Sequence, residues 1–379
     1  MMRTASILLE VSPSDAIALV ALQSAYAEAC NRLVPAVIEH RCWNRVALHQ
    51  RTYAPLRETS PLGSQMVCNA IFSVCKAYKA QKELGRIRKD VPVPIIRFDR
   101  ASVHFDKRTY TIKGDAVSLN TLGKRITVRM RPGEHQRRML ETGAPKEAEL
   151  IYRKGQWYFN LVLETDEVEQ VSSGPVIGVD VGENNLAASS TGKVWGGGDL
   201  RHRRDKYLAL RRRLQSNGSQ SAKQKLRQAS GKEQRRVKHI NHETSKAIVA
   251  GAQKIGARKI TLEDLTHIRA RIKAGKRMRG RLHRWAFRQL QTFVKYKAEA
   301  VGIEVEFVDP AYTSQTCSDC GSLGKRVKHR FDCSCGFRAH ADLNASRNLA
   351  RIGIGIPMPR AAVNTPDVGN KANNVHVSQ

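Results

Sequence analysis

Four cysteines in the C-terminal part of this 379-residue chain have the spacing of a metal site. They form a CxxC pair and a CxC pair separated by twelve residues: Cys317, Cys320, Cys333 and Cys335. Thiolates this close in sequence can bind one ion when the turn between them is tight, and Gly321 and Gly336 suit such turns. The pattern predicts one structural Zn²⁺. Because four thiolates leave no open coordination position for a water nucleophile, any chemistry must come from other residues.

Three acids stand where apolar segments begin or end. Asp180 ends the apolar strand segment that starts at Val176, Glu263 lies near the end of the predicted strand 259–264, and Asp342 begins the last helical segment. Carboxylate oxygens are the ligands that Mg²⁺ prefers, and two ions about 3.5–4 Å apart can activate a water and neutralise a leaving oxygen. These acids therefore predict a two-magnesium site for phosphodiester hydrolysis.

Each of these acids could instead have a purely structural role, and other acids compete with them for a role in the site. A single acid at a strand end is more often a cap or a turn residue. Three other acids compete with them: Glu183 follows Asp180, Asp264 directly follows Glu263, and Asp309 ends the strand before the cysteine segment. Alternation along a strand favours Glu263 over Asp264, because Ile260 and Leu262 then face the side opposite Glu263.

The charge of the chain is strongly positive. It has 65 Lys and Arg against 34 Asp and Glu, a formal net charge of +31 and a pI near 10.2. This excess predicts a polyanionic partner, with nucleic acid as the default. A membrane surface is disfavoured because the sequence has neither a run of 18 apolar residues nor a signal-peptide pattern. The other cysteines lack paired spacing and are predicted to be reduced core residues of a cytosolic protein: Cys30, Cys42, Cys68 and Cys75.

The basic residues are concentrated in two stretches. Residues 201–238 hold fourteen Lys and Arg and only two acids, and residues 269–284 hold eight basic residues and no acid. These stretches hold too few acids for i to i+4 ion pairs to balance their positive charge, so they predict contacts to the nucleic-acid backbone. The alternative is that the basic residues only line a solvent-exposed helix face and bind nothing. The candidate nucleic-acid-binding residues are Arg211, Arg212, Arg213, Arg277, Arg279 and Arg281.

The elements that position these residues follow from periodicity. Residues 1–11 predict a strand, and residues 12 to about 89 predict helices with apolar stripes of ordinary core packing. Residues 95–168 predict a small barrel or sheet that the first strand can join. From residue 174 we expect two strands, a long helical stretch, a strand at 259–264, a helix at 285–301, a strand at 303–308, the cysteine segment and a closing helix.

The motifs resemble one known family. Gly178-Val179-Asp180-Val181-Gly182, Leu262-Glu263-Asp264-Leu265, the cysteine segment and Asp342-Leu343-Asn344-Ala345 are similar to the split RuvC nuclease and inserted zinc ribbon of TnpB proteins. These are transposon-encoded RNA-guided DNA endonucleases related to compact type V CRISPR effectors. The similarity is specific in residues 174–350 and looser upstream. The CxC pair replaces a CxxC pair, which a ribbon tolerates.

The resemblance implies a fold and a function. It implies an α/β RNase H-like (RuvC) domain with an inserted zinc ribbon, plus an N-terminal β-barrel wedge domain that carries a helical recognition insert. By motif position, it implies a catalytic triad of acids that binds two Mg²⁺ ions: Asp180, Glu263 and Asp342. The implied partners are an omega RNA guide and double-stranded target DNA next to a short transposon-adjacent motif. The expected location is the prokaryotic cytosol, at the nucleoid when DNA is bound.

The resemblance also implies domain bounds. They are 1–11 and 93–172 for the wedge barrel, 12–92 for the helical insert, 173–316 for the first part of RuvC, 317–336 for the ribbon, 337–352 for the last RuvC helix, and 353–379 for a disordered tail. The alternatives are a guide-bound DNA-binding regulator or a compact CRISPR effector with weak or no cleavage, and a basic zinc-ribbon RNA-binding protein. The oligomeric state stays open.

Overall fold

A computed structural model describes residues 1–182, 184–265, 287–309 and 311–358. The chain divides into two compact units, one of residues Met1–Glu167 and a second that begins at Val168. None of the helices within the described ranges has both the length and the hydropathy to cross a membrane.

The first unit contains a seven-stranded antiparallel sheet. The strand order is β2-β6-β7-β1-β5-β4-β3, so that β1 lies in the middle and β2 and β3 are the edges. The first strand therefore joins the later ones, as the sequence predicts. The bounds are β1 Met2–Glu10, β2 Val103–Phe105, β3 Tyr110–Lys113, β4 Ala116–Leu119, β5 Ile126–Arg131, β6 Ala144–Arg153 and β7 Gln156–Glu164.

Three helices lie between β1 and β2. They are α1 Pro13–Glu39, α2 Arg45–Thr59 and α3 Ser64–Glu83. The Ser12 hydroxyl accepts the N–H of Asp15, which caps α1. The predicted apolar stripes are core, since Leu19, Leu22 and Tyr26 are fully buried.

Two features of this unit differ from the sequence prediction. A short helix, α4 Glu134–Thr142, is not predicted by the sequence pattern; it has nine residues and buries one of them, Met139, so it lacks the repeated core positions that mark a longer helix. Of the four predicted core cysteines, Cys30 and Cys75 are buried, whereas Cys42 and Cys68 are half-buried. All four are free thiols.

The second unit contains a five-stranded mixed sheet in the order β10-β9-β8-β11-β12. Strands β8, β11 and β12 are parallel, whereas β9 and β10 are antiparallel to their neighbours. The strand bounds are β8 Val176–Asp180, β9 Asn185–Ser189, β10 Val194–Gly196, β11 Lys259–Glu263 and β12 Glu304–Val308. The helices are α5 Gly198–Asn217, α6 Gln220–Lys254, α7 Phe287–Glu299 and α8 Ala341–Gly353.

Helices cover both faces of this sheet. Ile177, Val179, Ile260 and Leu262 share one core with residues of α6 and α7. On the other face α8 approaches β8 so closely that a Cβ at Gly178 would overlap the carbonyl oxygen of Ser346. Glycine at this position therefore permits the contact that brings α8 onto the sheet.

The predicted long helical stretch after β10 is two helices. It breaks at residues 217–219, where the Ser219 hydroxyl accepts the N–H of Ala222 and caps α6. The hydroxyls of Tyr207 and Ser230 lie 2.7 Å apart and join α5 to α6 as a hairpin. The Asn-Gly-Ser sequence at the break is typical of a turn, a signal that the charge-based prediction of one helical stretch did not use.

The cysteine segment forms a three-stranded antiparallel sheet before α8. Its strands are β13 Lys325–Val327, β14 Arg330–Asp332 and β15 Arg338–His340. Phe331 is fully buried and packs with Cys317 and Ala341. Of the predicted tail, residue 353 ends α8, and residues 359–379 lie outside the described residues.

Candidate metal-binding active site

Asp180, Glu263 and Asp342 meet at one end of the five-stranded sheet. Asp180 ends β8 and Glu263 ends the parallel neighbour β11. The register that pairs Leu262 with Val179 brings the two following acids to the same end and the same face. Asp342 is the second residue of α8, the helix that covers this face. The sequence separates these acids widely, and the sheet brings them together.

The electrostatics of this cluster suit a cation. Burial raises the pKa of Asp180 well above its usual range, and the nearby carboxylates of Glu263 and Asp342 raise it further. Burial also raises the pKa of Glu263. Ionised carboxylates this close together repel each other, so the cluster favours the binding of a proton or a metal ion that reduces its negative charge. An all-oxygen donor set of this kind fits Mg²⁺.

Neighbouring side chains orient the acids. The Thr313 hydroxyl donates to Glu263 Oε1 at 2.8 Å, and Asn185 Nδ2 donates to Asp342 Oδ2 at 2.9 Å. Gln291 Nε2 donates to the backbone oxygen of Glu263 at 2.7 Å. The sequence reasoning did not select these three polar residues. Each of them lies 28 to 157 positions from the acid that it contacts, so no local spacing marks the contact.

Arg326 also contacts this cluster. Its guanidinium Nη2 donates to Asp342 Oδ1 at 3.0 Å. Its positive charge opposes the rise in pKa of both Asp180 and Glu263. Arg326 belongs to β13, so the cysteine segment supplies a positive charge to the three acids.

The competing acids occupy other places. Asp264 is exposed, and its N–H donates to the Val308 carbonyl at 2.6 Å, which extends the pairing of β11 with β12. Asp309 Oδ1 accepts the N–H of Ala311 at 3.1 Å, as a turn-forming acid does. Glu183 lies outside the described residues.

The four cysteine sulfurs form a compact cluster. All four lie within 4.8 Å of one another, with Cys317 Sγ 3.9 Å from Cys335 Sγ and Cys320 Sγ 3.6 Å from Cys333 Sγ. Tetrahedral zinc with Zn–S bonds of about 2.3 Å places its sulfurs about 3.8 Å apart. The cluster therefore fits one Zn²⁺.

The turns of the cluster are as the sequence suggests. Gly321 and Gly336 have φ of +80° and +89°, and their N–H groups donate to the carbonyls of Cys317 and Cys333. Hydrogen bonds from the backbone and hydroxyl of Ser322 lower the pKa of Cys320 to about 6. In contrast, burial raises the pKa of the Cys317 thiol, and, against a hydrogen bond from the Phe337 backbone, the neighbouring cysteines raise the pKa of Cys335. The surroundings of Cys320 thus favour the thiolate, the form that binds a metal.

Two buried asparagines join the cysteine segment to α8. Asn344 Oδ1 accepts the N–H of Ser318 at 2.8 Å, while its Nδ2 donates to the Thr316 carbonyl at 2.7 Å. Asn348 Nδ2 donates to the carbonyls of Thr313 and Thr316 at 2.9 and 2.7 Å. Because α8 also carries Asp342, the first cysteine turn and this acid are held by one hydrogen-bonded network.

Three of the six arginines that are predicted to bind nucleic acid lie among the described residues. Arg211, Arg212 and Arg213 are exposed on α5. Other basic residues line a pocket between α5 and α6: His202, Arg203, Lys206, Lys232 and Arg236. Arg277, Arg279 and Arg281 lie outside the described residues.

Two family models match this chain. Residues 160–269 match a model described as a probable transposase, and residues 287–349 match the TNB domain of Cas12f1-like proteins. Each acid of the cluster falls within one of these two segments.

Two curated proteins are similar to about 60% of this chain each. A CRISPR-associated endodeoxyribonuclease, Cas12f1 of Sulfoacidibacillus thermotolerans, is 32% identical over 60% of this chain and 56% of its own length. A TnpB-like protein of Methanocaldococcus jannaschii is 29% identical over 63% of this chain and 91% of its own length. The matched region thus spans about half of the first relative and most of the second.

A solved structure shares the fold. A cryo-EM structure of a Cas12f1–sgRNA–target DNA complex matches 88% of this chain and 82% of its own protein chain with a TM-score of 0.63. The sequence identity is 16%, so this likeness concerns the fold alone.

Proposed function

Because the chain belongs to the TnpB family, which is related to the compact type V CRISPR effectors, we propose that it is an RNA-guided endonuclease that cleaves double-stranded DNA. The observation that carries this proposal is the meeting of Asp180, Glu263 and Asp342 at one sheet end. Relatives named as RNA-guided DNA endonuclease and as CRISPR-associated endodeoxyribonuclease support it.

The three acids act as ligands in this proposal. Asp180, Glu263 and Asp342 would hold two Mg²⁺ ions, and the chemistry that such ions would supply is activation of the attacking water and neutralisation of the leaving oxygen of the phosphodiester. The hydrogen bonds from Thr313 and Asn185 hold Glu263 and Asp342 in orientation, as partners behind metal ligands do. The ribbon zinc is structural, because four thiolates leave no position for substrate.

The proposal assigns roles along the chain. Residues 173–316 and 337–352 form the RNase H-like RuvC domain, and residues 317–336 the zinc ribbon. Residues 12–92 form the helical recognition part, and residues 1–11 and 93–172 form the wedge domain, whose strands are those of the seven-stranded sheet. The basic α5–α6 hairpin supports binding of an omega RNA and target DNA through their phosphates. A short transposon-adjacent motif marks the target.

The decisive experiment starts with the RNA that copurifies with the protein. This RNA is sequenced, and a duplex that matches its guide segment is incubated with the complex in Mg²⁺ or in EDTA. We expect Mg²⁺-dependent cleavage by the wild type and none by Asp180→Asn. Binding of the duplex without cleavage supports a guide-bound regulator instead. Binding of RNA without any guided DNA binding supports an RNA-binding ribbon protein.

A further inference from the structure

Two histidines lie beside Asp342 at the junction of the zinc ribbon and α8. A ring nitrogen of His329, a ring nitrogen of His340 and a carboxylate oxygen of Asp342 all lie within 4.8 Å of one another. The two imidazole rings stack at 5.6 Å with 20° between their planes. Since the N–H of Ala341 donates to the His329 carbonyl at 2.8 Å, the backbone fixes the two histidines side by side.

We propose that His329, His340 and Asp342 form a second metal site, selective for a transition metal such as Zn²⁺, which shares Asp342 with the catalytic cluster. Imidazole ligands suit Zn²⁺, Co²⁺ and Ni²⁺, whereas Mg²⁺ prefers oxygen ligands. Metal–nitrogen bonds of about 2.0–2.1 Å require donors about 3–4 Å apart, so the three groups close by about 1 Å on binding. His329 is exposed, and rotation of its side chain supplies that movement.

The contacts of Asp342 and His340 identify the donor atoms. Arg326 holds Asp342 Oδ1, whereas Oδ2 faces His340 Nδ1 at 4.0 Å. Oδ2 already accepts a hydrogen bond from Asn185, but a carboxylate oxygen has a second acceptor position. His340 Nδ1 accepts the N–H of Asp342 in a long bond of 3.3 Å, which the metal ion replaces. The other nitrogen of that tautomer carries the proton, so Nδ1 is the ligand.

The environment sets the affinity of this site. Two neutral imidazoles and one carboxylate give fewer negative charges than four thiolates, and the Arg326 guanidinium repels a nearby cation. The ribbon cluster is therefore the tighter zinc site and fills first. The second site fills when free zinc rises further.

Occupation has a consequence for the reaction, and this step rests on the proposed nuclease function. An ion on Oδ2 fixes Asp342 and adds positive charge beside the cluster that binds Mg²⁺. Because one carboxylate serves both sites, zinc in the histidine site weakens the Mg²⁺ site. The histidine pair thus makes cleavage sensitive to free transition metal.

Binding is tested first, without nucleic acid. The full chain, with its ribbon loaded with one equivalent of zinc, is titrated with ZnCl₂ by calorimetry in the presence of Mg²⁺. We expect a second equivalent in the wild type, bound at least about tenfold more weakly in His329→Ala and His340→Asn. Asn keeps an oxygen that caps α8, so this variant separates metal binding from folding. The matched control is His135→Ala, an exposed histidine of the first unit.

Cleavage is tested second, as inhibition by zinc relative to each protein's own zinc-free rate. We expect the inhibitory zinc concentration to rise about tenfold or more in His329→Ala. Equal inhibition of wild type and His329→Ala, or a second binding equivalent unchanged in both histidine variants, overturns the proposal. If no protein cleaves DNA, the nuclease proposal fails, while the calorimetric result still decides whether the histidine site exists.

Discussion

The guanidinium of Arg326 lies 3.0 Å from the carboxylate of Asp342, so a residue of the ribbon hairpin contacts an acid on the helix that follows the ribbon. Asp342 is 6% exposed, and in this setting a nearby positive charge has a strong effect on the carboxylates. Arg326 partly compensates the charge of all three acids. The ribbon therefore contributes electrostatics to the cluster as well as structure.

Removal of any one acid should abolish cleavage. Asp180→Ala, Glu263→Ala and Asp342→Ala each remove a proposed metal ligand, so we expect rates more than about a hundredfold lower, with guide and target binding nearly intact. Cleavage of a matched duplex and filter binding measure the two effects. The matched control is Asp264→Ala, because Asp264 is exposed beside Glu263. A loss in that control equal to the loss in Glu263→Ala would reverse the assignment.

Arg326→Ala should make the fold more dependent on Mg²⁺. Without the guanidinium, the carboxylates repel each other uncompensated, which lowers the free energy of unfolding by about 1–2 kcal/mol in EDTA. Since Mg²⁺ can replace this charge, its addition should raise the Tm of the variant more than that of the wild type. Arg326→Lys keeps the charge and serves as the control. An equal Mg²⁺ shift in all three proteins would show that Arg326 does not compensate the acids.

The raised pKa values of Asp180 and Glu263 predict how stability depends on pH. Between the ordinary pKa of a carboxyl and its raised value, the folded state binds more protons than the unfolded state, so the free energy of unfolding falls as the pH rises. Asp180→Asn removes one of these groups. In EDTA, the Tm of this variant should exceed that of the wild type by a margin that grows with pH. A margin independent of pH argues against the raised pKa of Asp180.

Protein dialysed against a mild chelator should keep about one Zn²⁺ per chain, in the four-thiolate site. We expect Cys333→Ser to lose this zinc and also to cleave more slowly, because Asn344 and Asn348 tie the first cysteine turn to the helix of Asp342. Elemental analysis and the cleavage assay measure both effects. Cys42→Ser changes a half-buried thiol elsewhere and should keep both properties. Active wild-type protein without zinc would contradict this prediction.

The arginine triplet on α5 should act through phosphates. Changing Arg211, Arg212 and Arg213 together to Gln should weaken guide or target binding nearly equally for all sequences. The slope of log K against log salt should become shallower by up to about 0.9 for each duplex phosphate that the variant no longer neutralises. The matching triple change to Lys keeps the charge and should keep the slope. An unchanged slope and affinity in the Gln variant would mean that these arginines only solvate the helix.

The amino-acid sequence by itself determined the local features. The spacing of Cys317 to Cys335 fixes which thiolates can share an ion, because short turns limit where four sulfurs can lie. Alternation placed Ile260 and Leu262 on the side opposite Glu263, and the structure puts both in the core with α6 and α7. The first strand was expected to join the later ones, and its seven paired residues with β7 show that it does.

Only the tertiary structure decided which distant residues meet. Parallel pairing of β8 with β11 and the close packing of α8 over Gly178 bring the three acids together. The hydrogen bonds of Thr313, Asn185 and Arg326 to those acids cross 16 to 157 positions of the chain. No local periodicity encodes such contacts, because they depend on how sheet, helix and ribbon pack and not on the spacing of neighbours in the sequence.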